Sequence, residues 1–281
     1  MTQEAPLAIV CGGGTLPFAV ADAVRKRGRR AVLIAIRGWA DAEAVAGYPH
    51  HWIALGQLAS VLRCMRAEGC RDIVFIGVVR RPSITQLRLD FTTLRMLPRI
   101  MRMFRGGDNH LLTGASRILE EYGLRIVGPH EVAPEILMPD GALGRRGPNE
   151  AERADIARGL ALLDAMGPFD VGQAVVVADQ HVLAVEAAEG TDRMLAHVAE
   201  LRGHGGASRG VLVKAPKPGQ DWRFDLPSIG PRTIEGAASA RLAGIAVRAG
   251  GAIVAEPQRV AALADERNVF VVGVRADGTS A

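Results

Sequence analysis

The sequence predicts an α/β chain of two domains: an N-terminal Rossmann-like parallel sheet and a C-terminal α+β domain with mixed strands. Three observations predict it. Short apolar runs alternate with helical periodicity through the first half, the signature of βαβ units. Pro, Gly and charge concentrate in MPDGALGRRGPNEAERAD, around residues 138–155. Beyond that stretch AVVVADQHVLAVEA alternates with period two about Asp179-Gln180, which reads as a hairpin. The expected division is therefore 1–138, a linker at 139–152, and 153–281, and 281 residues suffice for two such domains.

Taken in order, Leu7–Cys11 reads as a buried strand, Leu16–Arg27 as a helix and Ala31–Ile36 as a second strand. His51–Leu55 is a short strand, Leu58–Glu68 a helix, Asp72–Val79 a Val- and Ile-rich strand, and Leu124–Val127 a further strand. Between the last two, residues 91–122 read as helical. Leu94, Leu97, Ile100, Met101 and Phe104 share one face, and Arg95, Arg99 and Arg102 point the other way. Either this helix packs on a core with a basic face in water, or it receives an acyl chain or anionic lipid. In the second half, helices are expected over Ala151–Met166, Asp192–Arg202 and, as a long Ala-rich helix, Thr233–Ala249. Strands are expected at Val211–Val213 and Val269–Val274.

Apolar content of 48% with 4% aromatics and 23% charged residues describes a soluble globular protein. The net charge of +4 is unevenly spread: residues 71–105 hold eight arginines against Asp72 and Asp90. Such a patch favours an anionic partner. Scarce aromatics and the lack of a recognisable binding module argue against nucleic acid. Three cysteines, an odd number without CxxC spacing, argue against both a disulfide framework and a structural zinc site. The start, MTQEAPLAIVCGGG, has neither a basic n-region nor a long apolar h-region. No run approaches the roughly 18 apolar residues of a membrane span. A cytoplasmic location is expected, with peripheral contact at the cytoplasmic face of the inner membrane left open.

The chain has 31 arginines but three lysines, and two of these, Lys214 and Lys217, stand in KAPKPGQDWRFDLPSIGPRTIE beside Asp221, Arg223 and Asp225. A compact ammonium that contacts a phosphate oxygen is a reason to keep lysine in such a chain. Asp225, flanked by apolar residues, is the expected Mg²⁺ ligand, since Mg²⁺ is often held by one or two carboxylates plus substrate phosphate. Gly12, Gly13 and Gly14 open a helix after the first strand, where backbone N–H groups could approach an anion. They depart from the GxGxxG fingerprint, and Arg37-Gly38 stands where an NAD site would carry an acid. NAD is thereby disfavoured and an NADP-dependent oxidoreductase is a thin alternative. Arg80 and Arg81, at the carboxyl edge of the sheet, serve either a phosphate or the surface. Asp108, Asn109 and His110 either cap a helix or bind a ligand. In VEAAEGTD, Glu186 ends a strand and Gly190-Thr191-Asp192 opens a helix whose N–H groups could take a phosphate. Arg223 and Thr233 complete the candidate substrate-binding set.

In order along nearly the whole chain, GGGTLP, GVVRRPSITQLRLD, GDNHLL, DVGQAVVV, VLAVEAAEGTD, GVLVKAPKPGQDWRFDLPSIGPRTI and LAGIAVRAGG resemble the LpxI type of UDP-2,3-diacylglucosamine pyrophosphatase, enzymes of lipid A and hence lipopolysaccharide biosynthesis. The resemblance implies hydrolysis of an acylated UDP-sugar to UMP and lipid X. It also implies a Mg²⁺-type divalent cation, water attack on the sugar-side phosphorus and a homodimer. It sets Gly12–Gly14 against the nucleotide, Thr191, Asp192, Lys214 and Lys217 around the sugar phosphate, and Asp225 at the catalytic metal position. One departure is Asn109, where the family pattern has a second acid. A non-catalytic carrier of a nucleotide or acylated phosphosugar is the alternative; it leaves the carboxylates beside the lysines unexplained.

Overall fold

Five apolar runs of the first half form one parallel sheet in the order β3-β2-β1-β4-β5. They are β1 (Leu7–Cys11), β2 (Ala31–Ile36), β3 (His50–Ile53), β4 (Asp72–Ile76) and β5 (Arg125–Ile126). The structure is a computed structural model, and it describes residues 4–79, 88–96, 116–201, 209–224, 226–275 and 279–280. Every residue of β1 and β2 is buried, as expected of central strands covered on both faces. Helices Leu16–Lys26 and Leu58–Glu68 return the chain between parallel strands, the second ending at Gly69 in the left-handed conformation (φ 68°). Because β2 and β4 flank β1 on opposite sides, the connections diverge after β1. Such a switch point opens a crevice at the carboxyl ends of the strands.

At the opposite end of β4, the Asp72 carboxylate accepts from Arg29 at 2.6 Å and from Arg125 at 2.8 and 3.0 Å. Hydrogen bonding from Arg125 is the largest cause holding this carboxyl below its ordinary range. β4 was expected to run to Val79. It stops at Ile76 because Gly77 takes φ 100° and turns the chain. Of the expected 91–122 helix, residues 91–96 and 116–121 are helical, and the remaining face residues lie outside the described set.

The second sheet is mixed, in the order β6-β13-β11-β9-β7-β8. Its strands are β6 (Gly141–Ala142), β7 (Ala174–Ala178), β8 (His181–Val185), β9 (Val211–Lys214), β11 (Gly244–Arg248) and β13 (Phe270–Val274). β9, β11 and β13 are parallel, whereas β6, β7 and β8 run antiparallel to their neighbours. A short parallel pair, β10 (Ser228–Ile229) and β12 (Ile253–Val254), stands apart. The predicted hairpin turn carries positive φ at Asp179 (49°) and Gln180 (64°), the pattern of a primed turn. The Asp155 carboxylate fixes it by accepting from both backbone amides, at 3.2 and 2.7 Å.

One expectation for this half needs correction. The predicted helix Thr233–Ala249 spans only Pro231–Ser239, and the rest contains β11, buried between β9 and β13. Alanine-rich composition suggested a helix, but the apolar run GIAV is completed by pairing on both sides, and that outweighs helix propensity. Within 139–152, β6 pairs with β13, and Asn149 and Glu152 form a reciprocal capping box on helix Glu150–Met166. The helix Pro257–Arg267 was not foreseen.

The chain forms two compact units: Met1–Pro134 with Asp221–Asp225, and Glu135–Gln220 with Leu226–Ala281. Among the described residues, no helix is long and apolar enough to cross a membrane.

Candidate functional site

In the first unit, the glycine loop is occupied by its own sheet. Gly12 N–H donates to Ile76 O (3.0 Å), Gly13 N–H to Val78 O (2.9 Å), and Val78 N–H back to Gly13 O (2.9 Å). A Cβ at Gly12 would meet Gly77 C and Val78 O at 2.9 Å, so glycine here permits two backbones to touch. Among the described residues, no acceptor serves the amides of Gly14, Thr15 or Leu16 at the start of helix Leu16–Lys26. Gly14 takes φ 91°, a backbone conformation that favours glycine.

The same unit holds the segment around Arg223. Its guanidinium grips Asp221 (Nη2 to Oδ2, 2.7 Å) and reaches Glu120 at 3.3 Å. Hydrogen bonding from Arg223 is the largest cause lowering the Asp221 carboxyl below its usual value. Phe224 packs on the first unit's core, its ring centroid 6.0 Å from that of Phe75. Trp222 sets its ring edge-on to His130, centroids 5.8 Å apart. Asp225 follows directly in sequence, but Asp225, Arg80, Asp108 and Asn109 all lie outside the described residues, as do Arg81 and His110.

In the second unit, β9 ends in Lys214, whose residue surface is only 6% exposed. Its ammonium donates to Thr191 Oγ1 at 2.9 Å and to the Ser228 carbonyl at 3.2 Å. Thr191, first residue of helix Thr191–Leu201, donates its hydroxyl proton to Glu186 Oε1 at 2.5 Å. Glu186 Oε2 accepts from the Gln173 amide at 3.1 Å. Lys214 and Thr191, singled out from sequence, are thus joined. Glu186 and Ser228 join them without having been included in the candidate set. The first was legible as a carboxylate five residues before Thr191; the second contributes a carbonyl and leaves no side-chain signal.

The other candidates in this unit point elsewhere. Lys217 pairs with Asp170, and its amide donates to Gln220 Oε1 at 2.8 Å. Asp192 forms an exposed ion pair with Arg232 at 2.7 Å. Thr233 is buried and caps its own helix, its Oγ1 accepting from Gly230 N–H at 3.2 Å.

Burial pushes the thiols of Cys11 and Cys70 up to about 11, which leaves neither a ready thiolate nucleophile near neutral pH. Among the described residues, no group of three or more His, Cys, Asp or Glu side chains could hold a metal ion. Glu186 has both oxygens engaged and sits one hydroxyl from an ammonium, a setting that does not suit a cation.

A parallel βαβ unit with a glycine-sealed switch point and a mixed-sheet unit with a buried lysine at a strand end together make an α/β protein of two compact units. Residues 6–136 match the LpxI N-terminal domain and residues 139–272 the LpxI C-terminal domain, so the chain belongs to the LpxI family. It is 40% identical over 272 residues to a protein named UDP-2,3-diacylglucosamine pyrophosphatase LpxI from Caulobacter vibrioides (strain ATCC 19089 / CIP 103742 / CB 15), covering 95% of this chain and 97% of the relative. Among solved structures it matches UDP-glucose-4-epimerase from Stenotrophomonas maltophila with bound NAD and formylated UDP-arabinopyranose. That match has a TM-score of 0.30 and 10% identity over 97% of this chain and 77% of the epimerase, a likeness too slight to argue from.

Proposed function

We propose that this chain hydrolyses the pyrophosphate of UDP-2,3-diacylglucosamine to UMP and 2,3-diacylglucosamine 1-phosphate, lipid X, in lipid A biosynthesis. The observation that carries the reading is the near full-length relationship at 40% identity to a protein named for that activity. The attacking water forms a bond to the sugar-side phosphorus and gives up a proton to solvent. The bond to the bridging oxygen breaks, and UMP leaves with that oxygen. Such a reaction needs alignment and neutralisation of charge more than a covalent nucleophile. The buried Lys214 ammonium supplies fixed positive charge for the sugar phosphate, and Lys217 and Asp192 lie nearer the surface of the same unit.

The proposal includes dependence on Mg²⁺ or a similar divalent cation, with Asp225 as its protein ligand. The described residues do not themselves make a cation site, so this part rests on Asp225 and on the phosphate oxygens of the substrate. Such an ion would offset phosphoryl charge and lower the pKa of a bound water. Gly14 and the amides after it are assigned to the nucleotide side, with Arg80, Asp108 and Asn109 as further contacts. A homodimer and peripheral contact with an anionic membrane surface complete the reading. The exposed Leu89, Phe91 and Leu94 between Arg88 and Arg95 support the membrane contact.

The test is UMP release from UDP-2,3-diacylglucosamine by the purified protein, with and without chelator. Activity should vanish with chelator and return with Mg²⁺, and Asp225→Ala should retain under about a hundredth of the rate with unchanged thermal unfolding. Near-normal turnover by Asp225→Ala, or indifference to chelator, overturns the corresponding assignment.

A further inference from the structure

We infer that Glu186 is a positioning residue for Lys214, acting through the hydroxyl of Thr191. The functional meaning of this inference rests on the proposed reaction; its geometry does not.

Glu186 is held from three directions. Its amide donates to Ala174 O at 2.8 Å, extending the β7–β8 hairpin. Its Oε2 accepts from Gln173 N–H at 3.1 Å, and its Oε1 accepts from Thr191 at 2.5 Å. Even residue 172 is adapted to this placement: a Cβ there would fall 2.0 Å from the Glu186 carbonyl oxygen, so only glycine fits. A carboxylate fixed this way has little freedom to turn toward solvent or substrate.

A threonine hydroxyl has one proton and two lone pairs. Its proton is committed to Glu186, so toward Lys214 its oxygen can only accept. Donation to a carboxylate polarises that oxygen and strengthens the bond it accepts from the ammonium. The arrangement also places negative charge one hydroxyl away from a buried cation, which needs compensation to stay charged in a dry setting. Because Thr191 stands between them, the carboxylate balances the ammonium without itself covering the ammonium protons. Among the described residues, Thr191 Oγ1 and Ser228 O both help to aim Lys214. Glu186 orients the donor and need not touch the phosphate.

Glu186→Gln tests this directly. If the amide nitrogen faces Gln173 N–H, two donors collide. If the amide flips, its nitrogen points a donor at Thr191 and turns the hydroxyl proton outward. The first displaces the side chain that holds Thr191, and the second removes the acceptor of its hydroxyl proton.

The chain has three lysines, so ¹⁵N-lysine labelling yields three ammonium signals, and Lys214→Arg assigns one of them. In Glu186→Gln the Lys214 signal should shift and its proton exchange with water should quicken at least fivefold, with those of Lys26 and Lys217 unchanged. In the UMP-release assay kcat should fall about tenfold or more, with KM within threefold. Glu186→Gln combined with Thr191→Val should be no slower than Thr191→Val alone, the non-additivity of one relay. An unmoved Lys214 signal, or additive rate losses, overturns the inference. A wild-type protein that releases no UMP would sink the proposed reaction and leave the resonance experiment to decide the relay.

Discussion

Replacing Gly12 by alanine tests whether the glycine loop is first a seam and only then a binding element. The added Cβ would sit 2.9 Å from Gly77 C and Val78 O, both backbone atoms with no flexible end to swing away. Overpacking of this kind costs about 1–3 kcal/mol. Relief requires β1 and β4 to part locally, which weakens Gly12 N–H to Ile76 O and the reciprocal Gly13–Val78 pair. A net contribution of about 1 kcal/mol per hydrogen bond brings the loss to roughly 2–4 kcal/mol. In thermal unfolding followed by circular dichroism, that is a fall of about 5–15 °C at 2–4 °C per kcal/mol. Gly14→Ala is the internal comparison. Nothing lies within 4 Å of its Cβ, so only the φ of 91° resists, at about 1–2 kcal/mol. If Gly12→Ala melts within about 2 °C of the parent, or no lower than Gly14→Ala, the seam argument is wrong.

Acid should undo the first unit. Asp72, Asp221 and Glu68 all have folded pKa values lowered, chiefly by hydrogen bonds from Arg125, Arg223 and His51 respectively. A lowered folded pKa means stability that is full above the unfolded value, about 4, and is lost as pH falls through the folded one. Unfolding midpoints should hold steady from neutral pH to about 5 and drop below about 4, and Asp72→Asn should start lower and show a shallower drop. A wild-type profile flat to pH 3 would contradict this. For the membrane, flotation with anionic vesicles should carry the protein while neutral vesicles leave it behind. Phe91→Asp with Leu94→Asp should abolish flotation, because these two side chains are 80% and 53% exposed. Equal flotation of the variant would remove that face from the proposal.

Strands were legible where apolar runs are buried on both faces, as in β1 and β2, because each run is its own signal. β11 was not, since GIAV lies inside an alanine-rich stretch and becomes a strand only by pairing with β9 and β13. β6 shows the same limit from the other side: two residues among glycines and prolines carry no periodicity, yet they pair with β13. The glycine triplet was legible as a tight turn, but not which amides it would consume. That depended on Val78 returning antiparallel to Gly13 after Gly77.

The rarity of lysine carries a similar lesson in the site. Both residues of Lys214–Lys217 stood out equally in sequence, yet their surroundings separate them. Lys217 meets Asp170, whose side chain is 60% exposed, and surface pairs of this kind contribute little. Lys214 is buried and, among the described residues, donates to a hydroxyl and a carbonyl. A guanidinium would present a planar fork of five donors where the ammonium meets the Thr191 hydroxyl at a helix start and the Ser228 carbonyl on a short strand. An arginine-rich chain has every compositional reason to place arginine at 214, and the geometry of Thr191 and Ser228 gives a physical reason why it does not.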